Sequence, residues 1–285
     1  MAVSDSELGA YLRRAVLAVI VVICVAAVVA AVRTHSSRKA YRAVYRLDAA
    51  GAKDTESDLQ RTVAVLTGRL EALQREFKLG RCSVRSLPPD RVEVKISCAD
   101  SPQAPLAWLT MQGKAEFRLL HPEDGILTKA GRQALPPEYE VKVYKERRYI
   151  LSRLGDLKTV ETEYAILSKP SLVIGRFKGV TMTVTGAGQS VVLTFRFSEE
   201  DARAFGALTA LNAGRKMAML VDGEIFFPPK EIESAVPAGS VQVQGFFYIP
   251  PVRRLAEMLD AGSLPLPLTE ESRAPAGVGA STGKD

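Results

Sequence analysis

From Ala15 to Val32 the chain reads AVLAVIVVICVAAVVAAV, an apolar run without a single charge. At about 1.5 Å of rise per residue, a helix of that length nearly crosses a hydrocarbon layer ~30 Å thick, and Tyr11 and Leu12 extend it. A core helix would keep a polar side, and this run has none. It therefore predicts a transmembrane helix over residues 12–32, preceded by a cytoplasmic tail at 1–11. The rival reading is a cleaved signal peptide with Val28-Val29-Ala30 before the cut. Against it stands a run longer than the apolar core of about 7–15 residues usual in such signals.

Charge around the run bears on orientation. Arg13 and Arg14 precede it, while Arg33, Arg38, Lys39, Arg42 and Arg46 follow closely. Counted by the positive-inside rule, this favours a cytoplasmic carboxyl side. The alternative is a large domain exported regardless, its basic stretch resting on anionic headgroups. With Tyr41 and Tyr45 among the cations, residues 33–57 suit a juxtamembrane connector.

The rest is ordinary globular material. Of 285 residues, 47% are hydrophobic and 25% charged, which excludes a disordered chain and suggests two folding units. A helix is expected from Asp58 to Leu79, where Leu59, Val63, Leu66, Leu70, Leu73 and Phe77 form one stripe and Gly80 supplies the stop. A hairpin follows. Cys82 and Val84 alternate with polar neighbours, Pro88-Pro89-Asp90 turns the chain, and Val92, Val94, Ile96 and Cys98 alternate outward. Cys82 and Cys98 share the buried face, either as a disulfide or as two small buried hydrophobes. Trp108 lies in a short helix or loop opened by Pro102 and Pro105, and Lys114 to Leu120 reads as a strand. Proline, glycine and charge over 121–140 place a boundary there. Glu140 to Tyr144 and Tyr164 to Leu167 look like short strands around an irregular connector.

The carboxyl half alternates more clearly. Val180 to Val184 and Val191 to Phe197 form a hairpin around Gly186-Ala187-Gly188-Gln189. Ser198 caps a helix opened by Glu199, Glu200 and Asp201, with Ala204, Phe205, Leu208 and Leu211 as its inner stripe. Met217 to Val221 is a strand, and Asp222-Gly223 a type I′ turn into Ile225 and Phe227. Val241 and Val243 alternate towards Gly245. Pro250-Pro251 opens a last helix with Val252, Leu255, Ala256 and Leu259 on one face, ended by Gly262. The order implies an α+β fold: a base subdomain at 58–125, then an α+β sandwich head at 126–262 with antiparallel strands and two helices. Residues 263–285 form a return strand and a flexible tail.

Catalytic chemistry has little to work with. Two histidines and three cysteines form no H-E-x-x-H or C-x-x-C, and no G-x-S-x-G occurs. Gly186-Ala187-Gly188 lacks the third glycine of a dinucleotide loop. His121 before Pro122 reads as a solvated turn histidine, and Glu199-Glu200-Asp201 as helix capping. Net charge +6 permits nucleic-acid binding, but Arg147-Arg148 and Arg253-Arg254 are isolated pairs without a basic stripe. No catalytic residue, metal ligand, cofactor, small-molecule substrate or nucleic acid is expected. The functional candidate is apolar. In Phe226-Phe227-Pro228-Pro229 and Phe246-Phe247-Tyr248-Ile249, alternation buries one residue in two, so an aromatic in each faces outward, to dock the subdomains or to accept extended polypeptide.

Gly214-Arg215-Lys216-Met217-Ala218-Met219-Leu220-Val221-Asp222-Gly223-Glu224, followed by Pro228, Ile232, Gly239 and Gly245, resembles SecD, the accessory membrane subunit of the bacterial protein-export translocase. Asp260-Ala261-Gly262-Ser263-Leu264-Pro265-Leu266-Pro267-Leu268 is similar to the segment where that family's periplasmic loop returns to the membrane. Leu66 to Leu73, Arg91-Val92-Glu93-Val94 and Ala115-Glu116-Phe117-Arg118 are weaker matches in the same order. The resemblance covers about 60–268 and implies a periplasmic loop with a base and a mobile head that contacts emerging polypeptide. Its partners would be unfolded exported polypeptide and Sec translocon components, its place the outer side of the bacterial inner membrane, its contact residues Phe226, Phe227, Phe246, Phe247 and Tyr248. The family's glycine-rich stretch after the first membrane helix is not visible near Leu47-Asp48, and the chain ends where SecD begins its further membrane helices. One apolar helix without an ionisable group offers no proton path, so a single-pass factor without proton transduction is expected.

Overall fold

A computed structural model describes residues 38–50, 54–123, 135–149, 157–185, 190–236, 239–245, 247 and 249–276. The segments expected at 1–11 and 12–32, with Cys24, lie outside them, as do the turn at 186–189 and two of the aromatics, Phe246 and Tyr248. Among the described residues no helix is long and apolar enough to cross a membrane.

The chain is α+β, built on antiparallel sheets. The first holds β1 (Lys39–Leu47), β2 (Cys82–Leu87), β3 (Arg91–Cys98) and β14 (Leu268–Pro275) in the order β14-β1-β3-β2. Helix α1 (Thr55–Glu76) covers one face, with Leu59, Leu66, Leu70 and Leu73 packed on Ala43, Tyr45, Val92, Val94 and Ile96. Helix α2 (Gln103–Thr110) closes the same core with Leu106 and Leu109. Asp54 caps α1 by accepting from the Ser57 N–H, and the helix ends at Phe77 before Lys78 turns to φ 49°, two residues ahead of the expected glycine stop.

The second unit begins at β4 (Ala115–Leu119), which pairs with β7 (Leu172–Ile174) and β10 (Lys216–Val221). Beside β10 lie β11 (Glu224–Ile225) and β12 (Lys230–Glu231). A three-stranded sheet joins β8 (Gly179–Thr185), β9 (Ser190–Arg196) and β13 (Ser240–Gly245). Helices α3 (Glu199–Leu211) and α4 (Ile249–Ala261) enclose an aromatic core of Phe117, Phe177, Phe195, Phe197, Phe205 and Phe227. Ser198 caps α3 as its sequence predicts, accepting from the Asp201 N–H at 3.1 Å. Asp222 at φ 50° and Gly223 at φ 82° make the expected tight turn, the conformation that a two-residue hairpin demands.

Several elements differ from their expected form. Residues 39–47, read as a connector, are a strand between β3 and β14, because Ala43, Tyr45 and Leu47 bury inward while Arg42 and Arg46 stay outside. The stretch after Thr269, expected to be tail, continues as β14 to Pro275. Its residues are mostly exposed, so backbone pairing to β1 and the Arg91–Glu271 contact at 3.0 Å hold it rather than burial. Tyr139–Tyr149 and Leu157–Leu167 form one long hairpin, β5 and β6, where two short strands were expected. The expected strands coincide with the end of the hairpin where Tyr144, Ala165 and Ile166 are buried, and the ladder runs on beyond them. In α3, Leu211 is 84% exposed and Thr209 takes its inner place, its hydroxyl donating to Phe205 O and accepting from Val236 N.

Cys82 lies opposite Ile96, leaving Cys98 two residues further along the same face. Both are free thiols, so the bridge that the alternation left open is not formed. Burial raises both above the ordinary thiol range.

Candidate functional site at the junction of the two units

The chain passes from the first unit to the second at 111–114 and returns at 262–264, and these passages lie side by side. Leu264 N donates to Gln112 O at 2.8 Å, and Gln112 Nε2 donates to Leu264 O at 2.6 Å. Arg69 reaches them from α1 although it is only 1% exposed. Its guanidinium donates to Leu109 O at 3.0 Å, to Met111 O, to Gln112 O at 3.2 Å and to Gly262 O at 2.6 Å. Gly113 sits at φ +76°, where a Cβ would collide with this guanidinium. Burial lowers the Arg69 pKa to about 10, with the Asp222 charge opposing the shift. Asp222 in turn accepts from Gly113 N at 3.0 Å and Lys114 N at 2.9 Å.

The aromatics complete the junction. Trp108 on α2 packs on both cores and meets the Phe226 ring edge-on at 6.3 Å. Arg254 on α4 lies 5.0 Å from the Phe77 ring and 5.4 Å from the Trp108 ring, with Glu76 at 3.7 Å. Phe227 is 2% exposed, touches the Phe226 ring at 6.1 Å, and packs between Phe195 and Phe247 at 6.3 and 5.3 Å. Half-buried Phe247 folds back over Gly245, where a Cβ would come within 2.7 Å of its ring. The structure thus brings Phe226, Phe227 and Phe247 into one cluster with Trp108. Phe226 is a half-buried member and Phe227 the buried one.

Glu257 on α4 faces Arg75 of α1 at 4.0 Å, and its Oε2 is buried without a hydrogen-bond partner among the described residues. Burial and neighbouring Glu76 raise its carboxyl pKa against the pull of Arg75 and Arg253. His121 stands apart, its Nδ1 accepting from Glu123 N at 3.2 Å and its ring against Tyr139. Among the described residues no group of three His, Cys, Asp or Glu side chains is placed to hold a metal.

Arg69, Trp108 and Asp222 were not singled out as site residues from the sequence. For Arg69 a signal existed: it stands three residues after Leu66 and four before Leu73, on the apolar stripe itself.

The two units are thus crossed twice by the chain and joined by side chains directed at its backbone. Residues 152–266 match the family model described as SecDF, P1 head subdomain. The protein translocase subunit SecD of Acidaminococcus fermentans is 31% identical over 130 residues, covering 45% of this chain and 30% of that one. SecD of Elusimicrobium minutum is 27% identical over 186 residues, covering 62% and 38%. The chain therefore spans little more than a third of these relatives at most. A solved SecDF in a super-membrane-facing form superposes with TM-score 0.57 at 20% identity, covering 83% of this chain and 30% of that one. A second, described as a membrane component SecDF that enhances protein export, gives TM-score 0.54 at 21% identity, covering 81% of this chain and 98% of that one. The chain is SecD-like, its residues 152–266 resembling the SecDF P1 head subdomain.

Proposed function

We propose that the chain is a non-catalytic accessory factor of Sec-dependent protein export. Anchored by one helix at 12–32, it holds its base and head on the outer side of the membrane, where the head meets translocating polypeptide or the translocon. The match of 152–266 to the SecDF head carries this reading. Half-buried Phe226 and Phe247, each packed on the buried Phe227, offer the apolar contact. The apolar part of that helix, Ala15–Val32, carries no acidic or basic side chain that could relay a proton.

The test is topology followed by crosslinking. Protease added to intact spheroplasts removes an epitope placed after Lys284 if the domain is outside, and protection until lysis defeats the proposal. A photocrosslinker at position 226 or 247 then captures an arrested export intermediate. No capture at either position in a folded variant removes the polypeptide-binding part.

A second reading, a structural envelope protein using this fold for another protein partner, is favoured by the contact of Phe226 with Trp108, which employs the aromatic in docking the two units. Affinity capture of one stable complex devoid of translocon components supports it instead.

A further inference from the structure

At the edge of the first sheet lies a cleft of about 390 Å³ whose charged lining is wholly cationic: Arg38, Arg81 and Lys95, with Ser83 and Ser97 beside them. No carboxylate lines it among the described residues. Lys95 is held at the rim by Glu93 at 3.0 Å, whereas Arg38 and Arg81 make no ion pair among the described residues. The Arg38 guanidinium lies across Gly80. A Cβ at that position would stand 3.2 Å from Arg38 Nη1 and 3.1 Å from Ser97 Oγ, so the absence of a side chain opens the cleft.

The position of the cleft matters as much as its charge. Strand β1 starts and β14 ends on the same side of the sheet, with Ala276 N donating to Ala40 O at 2.7 Å. Residues 33–37 alone separate Arg38 from the apolar run that ends at Val32. Even fully extended, the six steps from Val32 to Arg38 span at most ~22 Å. If the run spans the bilayer, the cleft stands within that reach of the headgroups.

We propose that this cleft binds a phosphate oxyanion, supplied by the headgroup of an anionic phospholipid. Two guanidiniums without an ion pair among the described residues match phosphate oxygens with forked donors, and the serine hydroxyls add neutral donors. Paired cations elsewhere on the sheet, such as Arg91 with Glu271, have their charge already answered. The inference rests on the membrane reading above for its lipid source alone.

The experiment is native mass spectrometry of the full chain in detergent, equilibrated in turn with dioleoyl-phosphatidylglycerol, dioleoyl-phosphatidylcholine and inorganic phosphate. The wild type is expected to retain phosphatidylglycerol over phosphatidylcholine, and Arg38→Gln with Arg81→Gln to reduce that retention roughly tenfold. Gly80→Leu keeps every charge yet crowds the cleft, and reduces it too. Lys169→Gln with Lys230→Gln, which removes two exposed cations from the second unit, leaves retention unchanged. Inorganic phosphate bound in a variant-sensitive way without lipid preference upholds the site and makes free phosphate its source. Equal retention by the wild type and the Arg38/Arg81 variant, with circular dichroism unchanged, overturns the proposal. Alkaline extraction of membranes tests the anchor independently, so loss of the anchor and loss of the site give different results.

Discussion

Arg69 and Gly262 stand 193 positions apart in sequence, yet a guanidinium nitrogen of the first donates to the carbonyl oxygen of the second at 2.6 Å. The same side chain holds two carbonyls of the outgoing passage, Met111 and Gln112, and that of Leu109 just before it. One buried cation thereby ties together the point where the chain leaves the base and the point where it comes back. Arg69→Met keeps much of the apolar stem but orphans those carbonyls, and should cost about 3–5 kcal/mol. Denaturant unfolding of the purified chain checks the magnitude, and a loss below ~1 kcal/mol would show that water replaces the clamp.

A second buried cluster makes stability depend on acid. Arg118 donates to Glu116 at 2.5 and 2.9 Å and to Glu140 at 2.6 Å, tying β4 to the long hairpin. Desolvation raises the Glu116 carboxyl, but hydrogen bonds and charge from Arg118 and Lys114 outweigh it and leave its pKa below the ordinary value. A carboxyl depressed in the folded state adds stability above its unfolded pKa and loses it as pH falls through the folded one. Thermal melts should therefore show a falling midpoint below about pH 4.5, near the unfolded carboxyl value. In Arg118→Met only Lys114, 3.2 Å from Glu116, still opposes desolvation. That variant should be weaker at pH 7 and lose less than the wild type on acidification.

Trp108 is the only tryptophan, so intrinsic fluorescence reports on the junction directly. Phe226→Ala removes its edge-on neighbour and should shift the emission to the red with a modest loss of stability. Phe227→Ala opens a cavity in the aromatic core and should cost about 3–5 kcal/mol. An unchanged spectrum in Phe226→Ala would mean that this contact does not set the environment of Trp108.

Helix α3 separates capping from burial. Ser198→Ala should cost about 1 kcal/mol by leaving the Asp201 N–H without its side-chain acceptor. Leu211→Ser, at a position 84% exposed, should stay within about 0.5 kcal/mol. Equal losses in the two variants would contradict the assigned inner face of the helix.

Local chemistry was written plainly in the chain. The caps at Ser198 and Gly262, the turn at Asp222-Gly223, and the stripes of α1 and α4 each depend on residues a few positions apart, so periodicity and turn preference reveal them. The resemblance to SecD also rests on a contiguous stretch, and the match at 152–266 agrees with it.

Tertiary structure alone decided the rest. Strand β14 is mostly exposed and owes its form to an unfilled backbone edge on β1, which no side-chain pattern announces. The split between Phe226 at the junction and Phe227 in the core needed the position of Trp108, over a hundred residues earlier. Arg69 stands on an apolar stripe, and its partners exist only where the passages at 111–114 and 262–264 come together. A sequence displays what neighbours along the chain do to one another. Which distant carbonyls a buried cation satisfies, and which cations share a cleft, is settled only when folding brings the segments together.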